Sequence, residues 1–287
     1  NMSWWVIVNQ IGTLLFLQID LIVVNMLFGA TSAGEYAVVL NWGVILRSAA
    51  SMIAGVLTPM VFIYYAKEQT IALINMMRSS VKMMGVLMAL PIGFICGFAP
   101  QILTIWVGEK YAYLAPLMIL MVFHLAINLS VMPLFSINVA YNKIRVPGIV
   151  TLLMGGMNIS LAILLPLLAG WGFYGVAVAG AIVLTLKNAV FTPWYASKVM
   201  NIKILAFAWP MLPGITSTII IAIVGLIIGA FLPVTSLTTL VITGIAITTV
   251  YTIVIWKFGL SSFERKILKS YIPNIKKKSE MAAGEEL

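Results

Sequence analysis

Four ionisable side chains stand inside otherwise apolar runs of this 287-residue chain: Asp20, Arg47, His124 and Lys187. A charge in such surroundings is costly unless it is paired or hydrated, so each one marks a position where the chain does something beyond packing. Asp20 is the lone carboxylate within a run; Glu35 stands at the edge of another. Neutral polar residues extend the pattern. At about 100° per residue, Asn9, Thr13, Phe16 and Asp20 fall within about 60° of one another and form one stripe along a helix. Arg47 and Ser51 lie one turn apart, as do His124 and Asn128, with Asn138 near the same face.

These residue types exclude most catalysis. One carboxylate cannot supply a general acid and a general base, and one histidine cannot build a histidine-rich metal site. Cys96 is the single cysteine, which leaves no disulfide, thiolate site or cysteine-based triad. The chain therefore reads as a non-enzyme without metal or cofactor, and recognition is the remaining chemistry. Two cations against one carboxylate leave surplus positive charge, costly in a closed bundle but suited to an anionic headgroup in a hydrated cavity. The competing reading is an ion pair between Asp20 and Arg47 that fastens the first two helices. Counted from the outer helix ends at about 1.5 Å per residue, Asp20 lies about 13 Å deep and Arg47 and Lys187 about 20 Å, within long-side-chain reach of one another. Candidate cavity residues are thus Arg47, Lys187, Asp20, Asn9, Ser51, His124 and Asn128. For His124 an interhelical hydrogen bond is favoured over a proton relay. The 17 methionines and glycine pairs such as Gly155 and Gly156 suit helix packing.

The elements that position these residues follow from composition. With 62% hydrophobic and 9% charged residues and a mean hydropathy of +1.09, the solvent for most of the chain must be lipid. A spanning helix needs roughly 20 apolar residues. Eight stretches qualify: 4–28, 35–63, 81–107, 114–139, 146–168, 174–197, 206–232 and 237–258, giving an all-α polytopic membrane bundle of about eight helices. Breaks with turn chemistry separate them at 29–34, 108–113, 142–147, 170–175 and around Pro233. Positive residues stay on the cytoplasmic side. Even-numbered loops and the tail carry 14 Lys and Arg, whereas odd-numbered loops hold only Lys110. That alternation supports eight spans in the cytoplasmic membrane with both termini inside. It also assigns the net charge of +9 to topology rather than to nucleic acid. The organisation expected is a six-helix lobe at 1–200, two additional helices at 201–260 and a basic cytoplasmic tail at 261–287. Within that tail Phe263, Ile267 and Tyr271 recur at helical spacing, either on the membrane surface or as part of a topogenic, disordered end. Asn1 is followed almost at once by an apolar run without a charged leader, so the chain is expected to be a fragment that begins at a helix boundary.

The order of these features resembles the polysaccharide flippases of the multidrug/oligosaccharidyl-lipid/polysaccharide exporter superfamily. The elements are Asp20 in a first helix, then Gly29 with Gly34, Glu35 and Tyr36 opening the next, and Pro59 before a basic loop. Trp106, Gly108, Glu109, Lys110 and Tyr111 follow, then Ala115 and Pro116, Asn142 and Lys143, Asn158, and Gly170 to Gly175 leading into a small-residue helix. The resemblance implies the second lobe of a 14-helix flippase plus its extra helix pair. It further implies a lipid-linked oligosaccharide as cargo, carried across the membrane by alternating access, with Arg47 and Lys187 attracting the headgroup and Asp20 balancing charge or coupling to an ion. The first lobe is absent, so a partner lobe or a second copy is expected to complete the cavity. The alternatives are a cation-coupled multidrug extruder, which would favour acidic cavity residues, and a non-transporting membrane scaffold, which would have a dry interior.

Overall fold

The computed structural model describes residues 2–232, 234–261 and 264–265. Side chains at positions 2, 3, 6 and 15–17 fall outside that description. The described residues are helical throughout, with no strand among them. Chain contacts divide it into two units, 1–244 and 245–287.

The first unit opens with α1 (Met2–Leu17), and the chain turns at Gln18 before α2 (Ile19–Ala66). α2 is 48 residues long and holds one non-helical residue, Gly29, at φ 82° and ψ 174°. Only glycine adopts that conformation without strain. From Ile7 to Ala66 the apolar path is 60 residues, about three times what one crossing requires, and Gly29 breaks it into two arms that are each long enough to cross once. Six further helical stretches are long and apolar enough to span, which makes seven such helices among the described residues and eight crossings. The all-α polytopic bundle is therefore the architecture.

Several boundaries differ from those expected. The first turn region narrows to Gly29, because residues 30–34 are already helical. The third span is α3 (Thr70–Gly97), which starts well before residue 81. Arg78 and Lys82 made its opening look like a loop, yet Leu73, Met77 and Val81 on the same helix are buried against Val61, Ala196 and Phe207. At Phe98 the chain breaks and α4 (Ala99–Val107) begins with Pro100 in its first turn. The expected helix over 114–139 is a series: α5 (Ala115–Phe123), α6 (Leu125–Ser130) and α7 (Phe135–Ala140), with a 3-10 turn Met132–Leu134 around Pro133. Proline there removes an intrahelical donor and stops the helix. After α8 (Arg145–Ala169) and α9 (Gly172–Thr185) comes a π-helical turn, Leu186–Phe191, leading into α10 (Thr192–Val199). Pro193 follows that turn and lacks the N–H an ordinary helical turn would use.

Glycines let two helices of the first unit approach closely. α11 (Leu212–Phe231) runs along α3 with Gly85, Gly93 and Gly97 facing Gly214, Ile221 and Gly225. A Cβ on Gly214 would lie 2.6 Å from the backbone of Gly85, and one on Gly97 2.8 Å from Gly225. Lipid is as apolar as leucine, so close backbone contact rather than exclusion of water drives such a pair together. Outward positions such as Leu168 and Phe231 are more than four-fifths exposed, as a lipid-facing surface requires. α12 (Leu237–Val254) crosses the division between the units.

In the second unit α12 ends in a π-turn, Ile255–Gly259. Beyond it the Ser261 N–H donates to Glu264 Oε2 (2.7 Å) and the Glu264 N–H to Ser261 Oγ (3.3 Å). That reciprocal pair is a capping box, the start signal of a helix. Arg265 donates back to the Lys257 carbonyl at 2.9 Å. The proposed surface helix with Phe263, Ile267 and Tyr271 lies outside the described residues.

Candidate functional site: a cationic cavity

α1, α2 and the chain from α6 to α10 enclose a cavity of about 500 Å³. Its cations come from two places. Arg47 projects from the second crossing of α2, and its Nε is buried without a hydrogen-bond partner. Lys187 comes from the π-turn, and its ammonium sits 5.7 Å from the centre of the Phe135 ring. A π-turn holds an extra residue per turn and is often found where a helix presents a functional group. The turn is braced from within: the Thr192 hydroxyl donates to the Lys187 carbonyl at 3.2 Å and lies 3.4 Å from Asn188 Oδ1.

Around the cations the wall is neutral and polar. α1 contributes Asn9 and Thr13, α2 Ser48 and Ser51, α6 Asn128, α7 Asn138, and the π-turn Asn188. No Asp or Glu lies among the described lining residues. Asn128 and Asn138 are 2% and 7% exposed, and each has its carboxamide oxygen buried without a partner. Asn128 spends its amide on the His124 carbonyl (2.9 Å) and Thr185 (3.4 Å). Aliphatic side chains such as Leu129, Met132, Val139 and Leu184 line much of the rest, with the aromatic rings of Trp5, Phe135 and the stacked pair Phe191 and Tyr195, 5.4 Å apart at 15°.

Five of the seven candidates from the sequence thus line one cavity: Arg47, Lys187, Asn9, Ser51 and Asn128. Asp20 and His124 do not. They line a neighbouring space of about 20 Å³, room for about one water, together with Tyr36 and Gly180. Arg47 borders both spaces. The competing reading, an ion pair between Asp20 and Arg47, is not met: the two are not joined within 4.0 Å. Asp20 is held instead by the Asn158 amide, which donates to Oδ1 at 3.0 Å, and by the Tyr36 hydroxyl, 3.5 Å from Oδ2. The carboxylate so ties the start of α2 to α8 and, across the Gly29 break, to the second crossing. His124 Nδ1 lies 3.1 Å from the Leu120 carbonyl in its own helix. The turn at Gln18 explains the separation. It interrupts the helix between Thr13 and Asp20, so the stripe read along a straight helix is divided between two sites.

Asn188, Phe191 and Tyr195 were not singled out from the sequence. For Phe191 and Tyr195 the signal was there, since they follow Lys187 by four and eight residues and share its helix face, whereas Asn188, the next residue, has no such spacing.

A relative fits this picture. Over 264 residues the chain is 36% identical to the "Uncharacterized membrane protein EpsK" of Bacillus subtilis (strain 168). The chain is a multi-pass membrane protein. The match takes in 92% of this chain and 52% of the relative, so the chain spans about half the length of the curated protein it matches. No family model matches the sequence. No solved structure matches it significantly.

Proposed function

We propose that this chain is one part of a membrane transporter that carries a polyprenyl-diphosphate-linked oligosaccharide across the cytoplasmic membrane for polysaccharide synthesis. The observation that carries the reading is charge: a cavity of about 500 Å³ at membrane depth is lined by Arg47 and Lys187 and by no described carboxylate. Cations in a low-dielectric surround are expensive, and an anion that joins them offsets part of that cost. A diphosphate is such an anion, and arginine is well matched to phosphate oxygens. An extruder of organic cations calls for the opposite lining. A scaffold has no use for an open polar interior of this size.

In this proposal both termini face the cytoplasm, and the cavity belongs to the half of the bundle that carries the basic loops around Lys143 and Lys198. The remaining wall comes from a second lobe or a second copy. Membrane lipids surround the bundle, and Asp20, in its niche beside Arg47, is the place where a coupling ion would act.

The test is native mass spectrometry of the solubilised chain presented with polyprenyl diphosphate or with a lipophilic cation. Retention of the diphosphate lipid, lost on replacing Arg47 and Lys187 together by Ala, is the expected result. Retention of the cation alone would overturn the proposal in favour of an extruder.

A further inference from the structure

The unpartnered groups in the cavity are of two kinds. Arg47 Nε is a donor, whereas the buried carboxamide oxygens of Asn128 and Asn138 are acceptors. A buried polar atom left alone costs free energy, so a fitting ligand must answer both kinds. A diphosphate can satisfy the arginine. It cannot satisfy the two carboxamide oxygens, because its ionised oxygens accept and do not donate. The acceptors therefore ask for a second chemical portion on the same ligand, one that bears O–H or N–H groups.

The second portion has a place. Asn128 and Asn138 are ten residues apart, about 15 Å along the chain at about 1.5 Å per residue. Asn128 reaches Thr185 on α9, next to Leu184, while Asn138 lies beside the loop that carries Lys143, whose N–H donates to the Asn138 carbonyl. On that same side stand Phe191 and Tyr195, stacked nearly parallel, with the Tyr195 hydroxyl fixed by donating to the Lys143 carbonyl at 3.2 Å. Aromatic faces carry negative charge and attract the slightly positive C–H groups on one face of a pyranose ring. An amide acceptor beside aromatic faces suits a neutral sugar, whose O–H or N–H groups reach the oxygen while its ring lies on the aromatic faces.

We propose that the end of the cavity bounded by Asn138, Phe191 and Tyr195 is a saccharide subsite, distinct from the anion subsite at Arg47 and Lys187, that takes hydroxyl or N-acetyl donors of a neutral glycan. This rests on the diphosphate-lipid reading and adds to it a division of labour. The cations set affinity for any polyprenyl diphosphate, and the far end discriminates by sugar.

The experiment compares bare polyprenyl diphosphate with the same lipid bearing a diacetylchitobiose unit, bound to the solubilised full chain. The wild type is expected to hold the glycosylated lipid about tenfold more tightly, the penalty for one buried acceptor left without a donor. In Asn138→Leu the ratio of the two affinities should fall to about one while the bare lipid is still retained, which also shows that the variant is folded. Phe191→Leu, which keeps the volume apolar and removes the ring, should reduce the preference in the same way and decides the matter if Asn138→Leu binds neither lipid. Equal binding of both lipids by the wild type would overturn the subsite and leave the diphosphate reading standing. A preference that survives both substitutions would overturn it too. Failure of the wild type to retain either lipid would overturn the diphosphate reading and this one with it.

Discussion

Gly214→Ala adds one methyl group, and the structure fixes what that methyl meets. Its carbon would lie 2.6 Å from the Gly85 backbone, where ordinary contact begins at 3.4 Å. Main-chain atoms cannot rotate aside as a side chain can, so α3 and α11 must part by about 0.8 Å, the difference between those distances. Parting also loosens the contacts of Gly93 and Gly97 farther along, which lie under 3.0 Å by the same measure. Overpacking of this kind costs about 1–3 kcal/mol. For a chain of this size each kcal/mol lowers the melting temperature by about 2–4 °C, so a loss of about 2–12 °C is expected. Gly156→Ala is the control, because nothing lies within 4 Å of the added carbon and alanine is the better helix former. The assay is thermal unfolding of both purified variants in one detergent. If Gly214→Ala melts with the wild type, or if the two substitutions shift the midpoint equally, the close approach of α3 and α11 is not what holds them together.

Asp20→Leu should destabilise the bundle by about 2 kcal/mol or more, since it strands the Asn158 amide and the Tyr36 hydroxyl in a closed space, whereas Asp20→Asn should be milder; chemical denaturation in mixed micelles would rank them. Gly29→Ala should cost about 1–3 kcal/mol from its positive-φ, extended-ψ backbone alone, as the space around it is open, and Gly29→Asn should cost as much because asparagine tolerates only the left-handed helical region; the midpoint of thermal unfolding reads both. Ser51→Cys should react with a membrane-impermeant maleimide from the cytoplasmic side of inverted vesicles, while the native Cys96, only 2% exposed, should stay unlabelled; equal labelling would argue against a hydrated cavity.

The number of crossings was legible because a bilayer imposes a length that any apolar run must meet. What stopped a helix was harder to see. Residues 29–34 look like a turn, yet one glycine sufficed and Ala30 to Ala33 continue as helix. Arg78 and Lys82 pulled the start of α3 eleven residues too late, since a helix that leaves the membrane carries its charges on one side only. Within the cavity, Arg47 and Lys187 are found along one wall system, as their equal depth along two helices suggested. Asp20 was misplaced because helical spacing assumes an unbroken axis, and nothing in the residues around Gln18 announces the turn there. Its true partner, Asn158, is 138 residues away, a distance over which single-sequence periodicity has no reach.

The π-turn at Lys187 makes the cavity sensitive to the length of the chain as well as to its composition. A turn of this kind stores one residue more than an α-turn, and Pro193 gives it a reason to stay that way. Deleting one residue between Asn188 and Pro193 would let the helix rewind to ordinary pitch, and the flanking helices would keep their register while the bulge that presents Lys187 is lost. Lys187 would then leave the cavity wall without having been mutated. An in-frame loss of three nucleotides could thus silence the anion site while every residue named in it remained in the gene.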